Sequence, residues 1–181
     1  MRRTAVLGAG ALAAGALVAA GLAVRRARLE PMLVAGGSMR PTLEPGQRIA
    51  VAPLVRPPRR GDLVVVARPR SRSTGAPPWG SPDPSGDLEV VKRVVGLPGE
   101  RVRLRGGRLE VGGVPLPEPY LGGAPTAGEL ELALGPAEYL VLGDHRAAST
   151  DGRDFGPVPA DALLGRVRFA YWPPRRLRPR G

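Results

Sequence analysis

The sequence predicts a mostly β domain tethered by a single N-terminal transmembrane helix. Three observations lead there. Thr4 to Val24 is a run of twenty-one residues without a charge. From Pro31 onward, short apolar or alternating runs are separated by Gly- and Pro-rich turns, with little helical periodicity. A length of 181 residues leaves room for one ordinary domain plus an appendage.

Composition narrows the chemistry. There is no cysteine, so neither disulfides nor thiolate metal ligation enters. The single histidine, His145, rules out a multi-histidine metal site within one chain. No metal and no cofactor are expected. A net charge of +11 suits an anionic surface, lipid or nucleic acid. Aromatics at 4% give few stacking platforms, so lipid is favoured and no nucleic-acid partner is expected.

The elements follow in order. As a helix, Thr4–Val24 would extend roughly 31 Å, about one hydrocarbon core. Met1-Arg2-Arg3 precede it and Arg25, Arg26 and Arg28 follow, which favours a retained anchor over a cleavable signal peptide. Arginines on both flanks leave its orientation open. Met32–Val34 reads as a short strand entering Ala35-Gly36-Gly37-Ser38-Met39-Arg40-Pro41-Thr42-Leu43. Its glycines present Ser38 on a turn with space around it. Gln47–Val55 and Asp62–Ala67 read as strands, and 68–86 as a surface loop holding Trp79. Arg101–Arg105 and Arg108–Val111 flank Gly106-Gly107, a two-residue hairpin signal. Residues 115–127 form a Pro/Gly-rich loop, followed by strands near Leu130–Leu134 and at Glu138–Leu142. Gly143 to Val158 is a polar loop, Ala160–Leu164 one helical turn, and Arg166–Trp172 a last strand. An arginine-rich tail closes the chain from Pro173, solvated or resting on anionic lipid.

One residue stands out. Lys92 is the only lysine among 27 cationic side chains. A guanidinium stays protonated at any working pH, whereas a desolvated ammonium can release its proton and act as a base. Leu88 to Val95 reads as a strand that places Lys92 beside Leu88, Val90 and Val94, with Glu89, Val91, Arg93 and Val95 on the opposite face. Burial there lowers a lysine pKa. Bringing it from about 10.4 to near 7 costs roughly 4–5 kcal/mol. A strand lysine that snorkels to water is the competing reading.

Four segments, taken together, resemble the bacterial type I signal peptidases, membrane-bound serine proteases with a Ser–Lys dyad. Gly37-Ser38-Met39-Arg40-Pro41-Thr42-Leu43 resembles the nucleophile motif of that family. Arg60-Gly61-Asp62-Leu63-Val64-Val65 resembles its next strand, and Lys92-Arg93-Val94-Val95-Gly96-Leu97-Pro98-Gly99 its base motif. Gly143-Asp144 through Ser149, Asp151, Arg153 and Gly156 resembles its last motif. The segments come in the family's order across Val34–Val158.

The resemblance implies a signal-peptidase-like β-rich catalytic domain behind the anchor. It divides the chain into an anchor with flanks (1–30), a peptidase domain (31–172) and a basic tail (173–181). Ser38 is the implied nucleophile, with its backbone N–H as an oxyanion donor, and Lys92 the implied general base. Ser149 is implied to orient the lysine, while Asp144, Asp151 and Arg153 brace the loop. Val34, Ala35 and Gly36, with Val90 and Val91, fall where the family forms its substrate cleft, an added extended strand with shallow apolar pockets. Signal peptides of exported preproteins are the implied substrates, cut after small residues at the first and third positions before the scissile bond. The implied location is the cell membrane, single-pass, with the catalytic domain on the extracytoplasmic face; no obligate protein partner is implied. Gly36 stands where some members carry a hydroxyl as second oxyanion donor. His145 replaces the usual Asn, and Ala147 and Ala148 the usual Asp and Asn. The histidine admits a rival triad, Ser38–His145 with Asp144 or Asp151. Other functions that fit less well are a self-cleaving Ser–Lys protein, a maturation peptidase dedicated to one conjugation or pilus substrate, and a non-catalytic peptide-binding membrane protein.

Overall fold

The computed structural model describes residues 29–67 and 89–175. Strands numbered in chain order form two antiparallel sheets. The larger holds β1 (Glu30–Leu33), β2 (Arg48–Pro53), β3 (Leu63–Ala67), β4 (Glu89–Gly96), β9 (Glu138–Leu142), β10 (Val158–Pro159) and β11 (Leu163–Trp172). Their order is β1-β2-β11-β3-β4-β9-β10, with β12 (Pro174–Arg175) paired to β11. The smaller holds β5 (Arg101–Arg105), β6 (Arg108–Val111), β7 (Val114–Pro115) and β8 (Leu130–Ala133), in the order β7-β6-β5-β8. The mostly β expectation holds for the described residues.

Alternation along β3 builds core on both sides of the large sheet. Leu63 and Val65 join Val34, Met39, Leu43, Ile49, Val51 and Val167 on one face. Val64 and Val66 join Val94, Tyr139, Val141, Phe155 and Leu163 on the other. A third cluster, with Val95, Leu104, Leu109, Leu140 and Leu142, seats the small sheet. Buried on both faces, β4 places Lys92 beside Val64 and Arg93 beside Leu63. Both cations are 1% exposed. Arg93 lies on the face opposite Lys92, as the alternation predicts, and is buried as well because core lies on both sides of the strand.

Other elements differ in detail. Arg105 pairs with Arg108 across Gly106 and Gly107, whose φ values of 57° and 78° make the predicted tight hairpin turn. Ala160–Ala162 is a 3-10 turn, and β11 starts at Leu163, inside the segment expected to be helical. It starts early because Leu163 and Gly165 already pair with β3 across a bulge. The two-residue strands β7 and β10 are too short to announce themselves by alternation.

The outward face of β1, β2 and β11 carries a row of large side chains. Leu33 pairs with Arg48, which pairs with Trp172, so the three stand side by side. Leu33 is 61% and Trp172 63% exposed, with Phe169 exposed nearby. The predicted span at Thr4–Val24, the 68–86 loop with Trp79 and the tail after Arg175 lie outside the described residues. Among the described residues no helix is long and apolar enough to cross a membrane.

Candidate active site

Ser38 lies at the start of a turn that the core holds in place. Arg40 N–H donates to the Gly37 carbonyl and Leu43 N–H to that of Met39. Met39 and Leu43, four residues apart, are both buried in the first core cluster. Ser38 is left half-buried above them. Its carbonyl accepts the His145 N–H at 2.9 Å, which ties the turn to the loop after β9.

Gly143 is the meeting point. A Cβ built there would stand 2.1 Å from Ser149 Oγ and 2.6 Å from the Ser38 carbonyl oxygen. The serine turn and Ser149 thus both crowd the position that a Cβ on residue 143 would take. Lys92 Nζ reaches the same hydroxyl from β4, at 3.1 Å from Ser149 Oγ. Among the predicted residues, Ser38, Lys92 and Ser149 are therefore gathered around Gly143. Sequence reasoning gave Gly143 no role; its position at the end of a buried strand, directly before Asp144, was the available signal.

Two buried ion pairs fix this arrangement. Arg93 donates to Asp144 from Nε at 2.8 Å and Nη2 at 2.6 Å, a two-bond pair with side chains 1% and 0% exposed. Thr42 Oγ1 donates to the same carboxylate at 2.5 Å. Arg93 also donates to the Gly61 carbonyl, and its guanidinium lies 3.9 Å from the Tyr120 ring centroid. Asp144 therefore joins β4, the serine turn and the loop after β9. Arg93 and Thr42 belong to this site although sequence reasoning passed over them.

Asp151 caps the short helix Gly152–Phe155 in a reciprocal capping box with Asp154. Its carboxylate also accepts the Gly143 N–H at 2.9 Å and Arg153 Nε at 2.9 Å. Arg153 Nη2 donates onward to the Ser149 carbonyl at 3.2 Å. Arg146 is 3% exposed and bonds to Glu118 and Thr126. Burial disfavours its charge, but the hydrogen bond and charge of Glu118 outweigh this and hold its pKa above the ordinary value.

The residues expected to line a cleft lie on two segments. Val34 is buried, Ala35 and Gly36 are exposed, and Val90 and Val91 are half-buried. A Cβ on Gly36 would meet nothing within 4 Å. β4 pairs with β3 from Glu89 to Arg93, but its pairing with β9 begins only at Arg93. Among the described strands, β9 does not extend its pairing along β4 to Glu89, Val90 and Val91.

The family model for signal peptidase, peptidase S26, matches residues 7–172. The chain belongs to that family. A signal peptidase I of Leptolyngbya laminosa is 34% identical over 90% of this chain and 78% of its own length. Signal peptidase I T of Bacillus subtilis is 32% identical over 87% of this chain and 81% of its own. A solved signal peptidase I from Enterococcus faecalis, 27% identical, covers 63% of this chain and 99% of its own with a TM-score of 0.48. As a family member the chain is a serine peptidase, a hydrolase acting in signal-peptide removal.

Within this signal peptidase, His145 meets Ser38 through its backbone N–H. The carboxylates that a histidine triad would need are engaged elsewhere. Asp144 holds Arg93 and Thr42, and Asp151 holds Arg153 and the Gly143 N–H. Among the described residues, neither carboxylate accepts a hydrogen bond from the His145 imidazole.

Proposed function

We propose that the chain is a membrane-bound endopeptidase that removes signal peptides with Ser38 as nucleophile and Lys92 as general base. One observation carries the reading. The sole lysine is buried, and its amine is 3.1 Å from the Ser149 hydroxyl, which crowds the same Gly143 Cβ position as the Ser38 carbonyl. Taking an ammonium out of water disfavours its charged form, so burial favours the neutral amine that a base requires.

The amine takes the Ser38 proton as Oγ attacks the scissile carbonyl carbon. The Ser38 N–H donates to the oxyanion that forms. Collapse breaks the peptide bond, and the lysine hands its proton to the departing amine of the mature protein. Lys92 then takes a proton from the water that attacks the Ser38 ester, and returns it to Ser38 Oγ as the ester bond breaks and the signal peptide leaves. Ser149 holds the amine in line through both steps, and Asp144, Asp151 and Arg153 keep Ser149 and the serine turn in register.

The substrate is read as an extended strand on the edge of β4 at Val90 and Val91, across from Val34, Ala35 and Gly36. Backbone bonds there leave alternate side chains facing shallow walls, which selects small residues at the first and third positions before the cut. Residues 1–30 are the anchor, 31–172 the peptidase domain and 173–181 a basic tail. The exposed row Leu33, Arg48 and Trp172 suits contact with an anionic bilayer, an apolar pair around a cation. The domain lies on the extracytoplasmic side, where cleavage sites emerge.

The test is a preprotein with Ala-x-Ala before the cut, presented in liposomes to the full chain. Cleavage after the second Ala, lost with Phe at either Ala position, is expected. Equal cleavage of the Phe substrates would overturn the substrate reading, and cleavage by Ser38→Ala would overturn the nucleophile.

A further inference from the structure

The proposed reaction gives residues 115–127 no part. After Pro115 at the end of β7 they run to β8, carry Pro117, Pro119 and Pro125, and form a 3-10 turn at Pro119–Leu121. A surface connection would keep its polar side chains in water. Here Tyr120 is 2% and Thr126 1% exposed, and the Glu118 side chain is 9% exposed.

Their partners flank Ser149 on both sides. Glu118 accepts from Arg146 with both carboxylate oxygens, and Thr126 Oγ1 accepts from the same guanidinium. Arg146 Nε donates in turn to the Gly143 carbonyl at 3.0 Å. After Ser149, Arg153 Nη1 donates to the Ala127 carbonyl at 3.2 Å while its Nη2 donates to the Ser149 carbonyl. Between these, the Tyr120 ring lies against Arg93, the residue after Lys92, and its hydroxyl donates to Glu118 at 2.6 Å. The 3-10 turn Arg146–Ala148 runs directly into Ser149. Whatever fixes Arg146 therefore fixes where the Ser149 hydroxyl begins.

We propose that residues 118–127 are a strap that positions Ser149 against Lys92, with Glu118 and Thr126 as positioning residues acting through Arg146. This rests on the reading of Lys92 as general base. The strap touches neither substrate nor reacting atoms. It removes slack from a hydroxyl that must aim a lone pair, and misplacement by about 1 Å can cost on the order of 100-fold in rate.

The full chain in detergent, with an Ala-x-Ala preprotein, provides the test. Thr126→Val keeps the side-chain shape and leaves the Glu118–Arg146 pair in place. It is expected to lower kcat about tenfold with KM unchanged, and Thr126→Ser to restore it. Glu118→Gln is expected to act in the same direction. The deciding arm repeats Thr126→Val in a Ser149→Ala background, where no hydroxyl remains to position; less than about twofold further loss is expected. The same fold-loss in both backgrounds, a change in KM alone, or no change in kcat would overturn the strap. A Ser149→Ala chain that cleaves like the parent would instead overturn the role of Ser149 itself, and the strap with it.

Discussion

At the scale of single residues, the site depends on one missing side chain. The Cβ that Gly143→Ala would add lies within 2.6 Å of both the Ser149 hydroxyl and the Ser38 carbonyl. Rotating the hydroxyl gives no relief, since Ser149 Cβ is 2.5 Å away, and the Ser38 carbonyl is backbone that holds the His145 N–H. The variant is expected to lose at least about 100-fold in kcat, since angstrom-scale displacement of reacting groups costs that much. A single-turnover assay on the full chain checks it. Lys92 was legible in the sequence because it is unique among arginines. Gly143 was not, because its role lies in an approach between residues far apart in the chain. The burial of Arg93 was not legible, because period-two alternation says which residues share a face and nothing about whether both faces are covered.

At the scale of elements, charge bonds hold the loop after β9 to the sheet. Asp144 and Arg93 are both buried, and removing one partner leaves an uncompensated charge. Asp144→Asn is therefore expected to destabilise the chain by about 3–5 kcal/mol, seen as an earlier urea midpoint. Tyr120 gives this region a pH signature. Burial first, then the charge and hydrogen bond of Glu118, push its phenol well above the ordinary range. Its folded pKa exceeds the unfolded value of about 10. Its contribution is thus fully present below that pH and is lost as pH rises toward the folded pKa. Above about pH 10, stability should fall by up to about 1.4 kcal/mol per pH unit through this group. Tyr120→Phe should remove that slope, measured by urea unfolding from pH 9 to 12. Strands with four or more alternating residues were legible; β7 and β10 were not, since two residues carry no period. The early start of β11 follows from long-range pairing to β3, which local propensity does not encode.

At the scale of the whole molecule, the order of the motifs made the family legible from sequence, because Ser38, Lys92 and Ser149 each sit inside a longer patterned segment. The attachment of residues 118–127 to the site was not legible. It runs through Glu118, Tyr120 and Arg146, polar side chains whose burial depends on partners far apart in the chain. Membrane contact belongs to this scale too. Leu33→Asp with Trp172→Asp replaces the exposed apolar pair by charge without touching the core. The pair is expected to cut cleavage of a preprotein in anionic liposomes several-fold while leaving peptide cleavage in detergent unchanged. Equal loss in both settings would mean that the row serves folding and not the bilayer.

The central claim is that the one lysine is the base. Its most direct test is Lys92→Arg, measured for preprotein cleavage beside His145→Ala in the same full-length chain. The Ser–Lys account predicts that Lys92→Arg, which replaces the titratable amine by a permanently protonated guanidinium, abolishes cleavage while His145→Ala still cuts. Cleavage that survives in Lys92→Arg and disappears in His145→Ala would contradict it and assign the base to the histidine.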